Sequence, residues 1–578
     1  MRSEIRAGIY ARCILAGFIF LAVGLVYTQI IHYGLYKKMS EENRLRVTPL
    51  MAPRGTIYDR NGKAMVKDDL CFNASVIYSQ IKNRKDLVDT LVTVCNVPRG
   101  DVENGMNTAK RMPYTPTVVV PGIGVEGAIR IEEIKLDHPG LIVQVSTKRK
   151  YVGGKSGAGM LGYLGLMNSS EFGRLKHYGY QLNDLVGKTG VERYYDNYLR
   201  GRHGGKQVEV DSRGREVLAL GYREPIPGND IYLTVDADLQ KFCDGIMAGK
   251  RGAIIAMDPR SGEILAMASS PSFDPEMFLD KKRRNEIKAM LKDPAYPLIN
   301  RAIAAAYPPG SVFKLVVSAA GLETGKVGRN TTTVCNGIFH LGSSAFHCWK
   351  DGGHGAQNIT QAIKNSCNLF FYRTGLMLGA DNIADFAERF GFGQRTGVDL
   401  FPEEKGNVPS PKWKAKVLHE DWFMGETVNY AIGQGYLTVT PLQVARMAAV
   451  FANKGYLVRP YVAQKIGTVD VNAQEKISLQ LSQATLEAVR EGMKLCVNDP
   501  RGTGMKARMQ GVIVSGKTGT AQTSKGINHG WFAGFAPFQD AQLVVVVFDE
   551  YGGRGGYYAA ETAGRVFREA EKLGILKG

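Results

Sequence analysis

From Cys13 to Ile31 the chain carries no charged residue (CILAGFIFLAVGLVYTQII). These nineteen positions, if helical, span about 29 Å, close to the hydrocarbon thickness of a bilayer. His32, Tyr33, Gly34 and Leu35 follow, with no run of small residues to mark a cleavage site. Residues 13–34 are therefore read as an uncleaved transmembrane anchor, preceded by a short tail over 1–12. Arg2, Arg6 and Arg12 lie before the span, and Lys37, Lys38, Arg44 and Arg46 after it, so the positive-inside count leaves the orientation open.

Beyond the anchor, residues 35–228 alternate between strand-like and helix-like patterns, broken by Gly and Pro. Pro49 and Pro53 exclude a continuous helix near the start, and Asn61-Gly62 signals a hairpin. This stretch reads as a non-catalytic module. A second domain is expected over 229–578. IYLTV (231–235) reads as a strand, and Asp236 as the cap of the helix ADLQKFCDGIM. GAIIAMD (252–258) and EILAMAS (263–269) read as strands joined by the turn Pro259-Arg260-Ser261-Gly262. A long helical block follows. VIVSG (512–516), GWFAGFA (530–536) and QLVVVVF (542–548) then read as three strands of one antiparallel sheet, and a last helix closes the pattern. Strands, helices and strands again predict an α+β domain, a helical cluster packed on a sheet.

With 578 residues the chain is too long for a single core. Its apolar content of 44% and charged content of 22% are those of a folded protein. The net charge of +18 is compatible with nucleic acid, a membrane surface or an anionic substrate. An extracytoplasmic location removes nucleic acid and leaves anionic lipid and phosphate-bearing lipid substrates.

Candidate chemistry changes the picture most at Ser311-Val312-Phe313-Lys314. The preceding Tyr307-Pro308-Pro309-Gly310 and the following apolar run place Ser311 at a helix N-terminus. Three-residue spacing then puts the Lys314 amine on the same face as the Ser311 hydroxyl. A lysine can activate a serine only if desolvation or nearby charge lowers its pKa. The same spacing recurs at Ser79–Lys82 without a helix start. Ser366-Cys367-Asn368 is a Ser/Asn turn, with Ser366 a candidate proton relay and Asn368 a candidate holder of a substrate amide. Lys517-Thr518-Gly519-Thr520 follows VIVSG. On an edge strand Lys517 and Thr518 can bind a carboxylate, Gly519 admits a substrate backbone, and the Thr520 and Ser311 amides can form an oxyanion hole. A second Lys-Thr-Gly, Lys188 to Gly190, follows no expected strand and reads as a helix start.

These three motifs, in this order, resemble those of penicillin-binding proteins and serine β-lactamases; Cys367 stands where that pattern has Asp. The chain resembles a class B penicillin-binding protein over nearly its whole length. Asn43-Arg44-x-Arg46, Pro53-Arg54-Gly55-x-Ile57-x-Asp59-Arg60-Asn61-Gly62 and Gly187-x-x-Gly190-x-Glu192 match that family's pedestal. Residues 430–435 (YAIGQG) and Trp531-Phe532-x-Gly534-Phe535-Ala536-Pro537 match its catalytic domain. His347-Cys348-Trp349-Lys350 with Gly352-Gly353-His354-Gly355 is similar to the elongation-type branch, penicillin-binding protein 2. The resemblance implies a pedestal over 35–228 and a transpeptidase domain over 229–578 that lies outside the cytoplasmic membrane, in the periplasm. It implies a D,D-transpeptidase that cross-links D-Ala-D-Ala stems through an acyl-enzyme on Ser311, with Lys314, Ser366, Asn368 and Lys517 catalytic. β-Lactams would act as substrate mimics, and a SEDS-type glycosyltransferase and elongation scaffold proteins would be partners. Catalysis needs no cofactor. The alternatives on the same fold are a D,D-carboxypeptidase or β-lactamase, for which no water-activating base is found, and a β-lactam sensor.

Cys335, Cys348, His354 and Cys367 follow the spacing C-x12-C-x5-H-x12-C. Three thiolates and an imidazole suit tetrahedral zinc, and Cys367 sits inside the Ser/Asn motif. A Cys335–Cys348 disulfide and four unlinked residues are the competing readings. Structural zinc is preferred because the four residues fall within thirty-three positions. Cys13, Cys71, Cys95, Cys243 and Cys496 are scattered and expected to be packed.

Overall fold

The fold is described from a computed structural model, over residues 2–37, 45–180, 184–211, 216–471, 475–523 and 526–577. Lys38, Asn43 and Arg44, cited above, lie outside these. A helix runs over Arg2–Val26 and continues as a π-turn over Tyr27–Ile31. The stretch Ala7–Ile31 is long and apolar enough to cross a membrane, and none of it is buried in protein. The uncharged run Cys13–Ile31 lies within it.

The chain forms two compact units, and it passes between them more than once. The first comprises residues 1–54, 68–149 and 200–228. There Leu45–Leu50, Gly204–Val210 and Glu216–Arg223 form an antiparallel sheet. The helices Arg84–Cys95 and Arg99–Arg111 bury Leu87, Leu91, Val102 and Met106 in a separate core with Val119 and Val120. The Ser79–Lys82 decoy lies here, on a 3-10 turn over Tyr78–Gln80.

The second unit comprises residues 55–67, 150–199 and 229–578. The Asn61-Gly62 hairpin forms as expected: Gly62 has φ +80° and the Asp59 carboxylate accepts the Asn61 and Lys63 N–H groups. Helix α1 is Ala237–Met247, capped by Asp236 through the Asp238 and Leu239 N–H groups. Strands β1 (Gly252–Met257), β2 (Ile264–Ser270), β3 (Ser515–Ala521), β4 (His529–Ala536) and β5 (Leu543–Asp549) form one antiparallel sheet in the order β2-β1-β5-β4-β3. Its central runs are apolar without alternation because both faces are covered. Val544 and Val546 face one core with Leu442 and Met447, while Val545 and Val547 face another with Leu239 and Phe567. Each such buried side chain contributes about 1.5–3 kcal/mol.

The helices that build the site and cover the sheet include α2 (Lys314–Glu323), α3 (Ile359–Asn365), α4 (Asn368–Arg389), α5 (Pro441–Ala452), α6 (Gln483–Asn498) and α7 (Tyr558–Lys572). Two local readings are corrected. The strand expected over 512–516 begins only at Ser515, because pairing with β4 runs from Ser515↔Phe535 to Ala521↔His529. The Lys-Thr-Gly-Thr residues therefore lie within an edge strand and not at its end. The second Lys-Thr-Gly does open a helix, Gly190–Tyr194, but a short strand, Leu185–Gly187, precedes it.

Candidate active site

Ser311 lies on a single 3-10 turn, Gly310–Phe313, that runs directly into α2. Pro308 and Pro309 keep regular helix from starting earlier. Gly310 has φ +55°, and a β-carbon there would lie 2.6 Å from the Thr520 carbonyl oxygen. On Gly519 a β-carbon would lie 3.0 Å from the Pro309 oxygen. The Ser311 turn and the edge strand β3 therefore touch backbone to backbone. A third segment joins them: the Gly310 N–H donates to the Gly433 carbonyl at 2.9 Å. Gly433 belongs to the 430–435 stretch noted above.

Helix α3 ends at Ser366, which takes a left-handed conformation (φ 53°, ψ 38°). Helix α4 starts at Asn368. This break turns Ser366 and Asn368 toward Lys314, whose side chain is fully buried. The Lys314 amine donates to Asn368 Oδ1 at 2.7 Å, to the Ser366 carbonyl at 3.0 Å and to Ser366 Oγ at 3.4 Å. Lys517, equally buried, donates to Ser366 Oγ at 2.9 Å and to the Thr518 carbonyl at 2.7 Å. Both lysines thus meet on one hydroxyl. Burial lowers the Lys314 pKa to about 7, and the Lys517 charge lowers it further within that value. Burial brings Lys517 to about 8.

One expected contact is not made. None of the Lys314 hydrogen bonds ends on Ser311. A fixed carbonyl and amide oxygen hold the ammonium in the free protein, and catalytic hydrogen bonds often tighten only when substrate arrives. Thr518 is buried and bonds to the Thr503 hydroxyl at 2.8 Å, while the Thr520 hydroxyl accepts the Gly555 N–H at 3.3 Å. Thr503 and Trp349 complete the surroundings. The Trp349 indole N–H donates to the Ser366 carbonyl at 3.2 Å. The sequence reading assigned no role to Thr503; its one signal is the flanking pair Gly502 and Gly504.

The four candidate metal ligands are also brought together. One ligand atom from each of Cys335, Cys348, His354 and Cys367 lies within 4.8 Å of every other. His354 Nδ1 is 3.6 Å from the Cys335 sulfur and 3.4 Å from that of Cys348. Zinc–sulfur bonds of about 2.3 Å in a tetrahedron set sulfur–sulfur edges of about 3.8 Å, so the donor set fits. His354 Nε2 is buried with no hydrogen-bond partner, so the usual second hydrogen bond of a ligating imidazole is missing among the described residues. All eight cysteines are free thiols, Cys335 and Cys348 included. Of the scattered five, Cys243 and Cys496 are buried, whereas Cys13 is exposed on the apolar anchor helix. Hydrogen bonds from Cys367 and His354 hold the Cys348 thiol far below its usual range, and the bond to Cys348, with burial, pushes Cys367 up.

Residues 252–570 match the penicillin-binding protein transpeptidase domain, and residues 49–233 match the penicillin-binding protein dimerisation domain. The peptidoglycan D,D-transpeptidase MrdA of Acinetobacter baumannii is 35% identical, over 95% of this chain and 87% of its own length. MrdA of Escherichia coli is 31% identical, over 93% of this chain and 89% of its own. The Helicobacter pylori penicillin-binding protein PBP2, solved in complex with MreC, superposes with a TM-score of 0.81 at 29% identity, over 92% of this chain and 99% of that one. Two matching domains and relatives aligned almost end to end leave one assignment: this chain belongs to the class B penicillin-binding proteins, in the elongation-type branch of MrdA and PBP2.

Proposed function

We propose that the protein is a membrane-anchored peptidoglycan D,D-transpeptidase in which Ser311 is the nucleophile and Lys314 its base. The observation that carries this reading is the meeting of Lys314 and Lys517 on Ser366 Oγ, beside the Ser311 turn. At a pKa of about 7, a large fraction of Lys314 is neutral at physiological pH. A neutral Lys314 takes the Ser311 proton as Oγ attacks the carbonyl of the penultimate D-alanine. The Ser311 and Thr520 amides receive the oxyanion; one such donor is typically worth about 10²–10³ in rate. The C–N bond breaks, and the departing D-alanine amine takes a proton passed through Ser366. An amine of a neighbouring stem then attacks the acyl-enzyme, forming the cross-link and restoring Ser311. Lys517 and Thr518 hold the terminal carboxylate until the D-alanine that carries it departs, and Asn368 holds a substrate amide.

The reading places the catalytic domain on the periplasmic side, because stems and glycan strands lie there. Its partners are a SEDS-type glycosyltransferase, as the family resemblance implies, and a scaffold protein, as MreC is for the Helicobacter pylori relative. We further propose that Cys335, Cys348, His354 and Cys367 hold a structural zinc ion. The metal would brace the segment that presents Ser366 and Asn368, and it takes no part in acyl transfer.

Incubating the purified protein with a pentapeptide-stem donor and an excess of acceptor stem tests the reaction class. The expected products are free D-alanine and a donor–acceptor amide in equal amounts. Release of D-alanine with only the hydrolysed tetrapeptide would make the protein a carboxypeptidase.

A further inference from the structure

Thr503 lies outside every motif, yet it touches two of the segments that build the site. Its hydroxyl accepts from the Thr518 hydroxyl at 2.8 Å and donates to the Lys364 carbonyl at 3.3 Å, two residues before Ser366. The Cys496 sulfur lies 3.3 Å away. The backbone around Thr503 is pinned on both sides. The Gly502 and Gly504 N–H groups donate to the Asp499 and Cys496 carbonyls at 2.8 and 2.9 Å. The Asp499 carboxylate in turn accepts the Arg501 N–H at 2.8 Å and the Lys364 ammonium at 3.3 Å. Opposite, a β-carbon on Gly556 would lie 2.6 Å from the Thr503 carbonyl. Flanking hydrogen bonds thus fix the backbone on both sides of Thr503.

A hydroxyl has one proton and two lone pairs. With the Thr503 proton on Lys364 and the Thr518 proton on Thr503, Thr518 offers an incoming anion only lone pairs. A carboxylate cannot bind there. If Thr503 turns its proton from Lys364 to Thr518 Oγ1, the Thr518 proton is released toward the cleft. The chain then runs one way, Thr503 to Thr518 to carboxylate, and each bond polarises the next. The bond given up, at 3.3 Å, is long for a hydroxyl donor, whereas the retained one, at 2.8 Å, is near ideal. Reversal is therefore cheap and is driven by the charge-assisted bond it permits.

We propose that Thr503 is a positioning residue of the carboxylate subsite: its hydroxyl reverses from Lys364 to Thr518 when an anionic stem terminus arrives, and so favours carboxylate-ended substrates over uncharged ones. This rests on the acyl-enzyme reading of Ser311, so the experiment separates the two. The second-order acylation rate is measured with benzylpenicillin and with its methyl ester, for wild type, Thr503→Val and Thr503→Ser, alongside thermal melts. Wild type is expected to prefer the free acid. Thr503→Val is expected to lose about 5- to 10-fold with the acid, the worth of one ordinary hydrogen bond, with little change for the ester. Thr503→Ser should retain the wild-type ratio. If the valine variant melts early, Thr503→Cys, similar in volume but a weak donor, should show the same selective loss. An acid-to-ester ratio unchanged in the variants lacking the hydroxyl overturns the role of Thr503. A wild type acylated by neither compound overturns the acyl-enzyme reading instead.

Discussion

Two ammonium groups buried around one serine oxygen are an unstable arrangement unless one of them gives up its proton. Lys314 is the better candidate, because it is buried and also faces the Lys517 charge, whereas Lys517 is depressed chiefly by burial. On the proposed roles, acylation requires Lys314 without its proton, a state reached as pH rises through about 7. On the same roles, binding of the substrate carboxylate requires Lys517 with its proton, which is lost as pH rises through about 8. The second-order rate of acylation by benzylpenicillin should therefore trace a bell with limbs near these two values, and replacing Lys517 with an uncharged residue should remove the falling limb. A profile flat between about pH 6 and 9 would contradict the assignment of roles. At this scale the motif residues were legible because helix and turn spacing limits where side chains can point. The Lys314–Asn368 bond and the Thr503 contact were not, since each joins segments far apart in the chain.

Short elements do most of the positioning. The left-handed Ser366 ends α3 and lets α4 restart two residues later, and that break aims both polar side chains at one amine. The strand carrying Lys517 starts later than the run VIVSG suggests, because an apolar run shows strand propensity and the partner decides the register. Val512 to Val514 face no partner strand, whereas Ser515 to Ala521 pair fully with β4. The thiol–imidazole cluster belongs to this scale too. Its four residues come from Thr333–Cys335, from the stretch after the hairpin strand Ser344–His347 and from the start of α4. Purified protein should carry about one equivalent of zinc, and Cys348→Ser should lower both the zinc content and the melting temperature. Metal-free protein with an unchanged melt for Cys348→Ser would remove the metal from the account.

Across the whole molecule, the local pattern separates a membrane span, a region poor in chemistry and a region rich in it. It does not reveal that residues 55–67 and 150–199 group with the C-terminal unit. Nothing in periodicity announces that the Thr56 N–H meets the Asp230 carboxylate at 2.7 Å, or that Tyr195 bonds Asp399 at 2.5 Å, because such contacts follow from topology. What the fold achieves is to carry a 3-10 turn, a helix break and an edge strand to one place from three distant parts of the sequence. The central claim is that this place acylates Ser311, and intact mass spectrometry after incubation with benzylpenicillin tests it most directly. Wild type is predicted to gain the mass of one penicilloyl group per chain, mapped to the peptide containing Ser311, and Ser311→Ala to gain none. An adduct of the same mass on Ser311→Ala, or none on folded wild type, would contradict it.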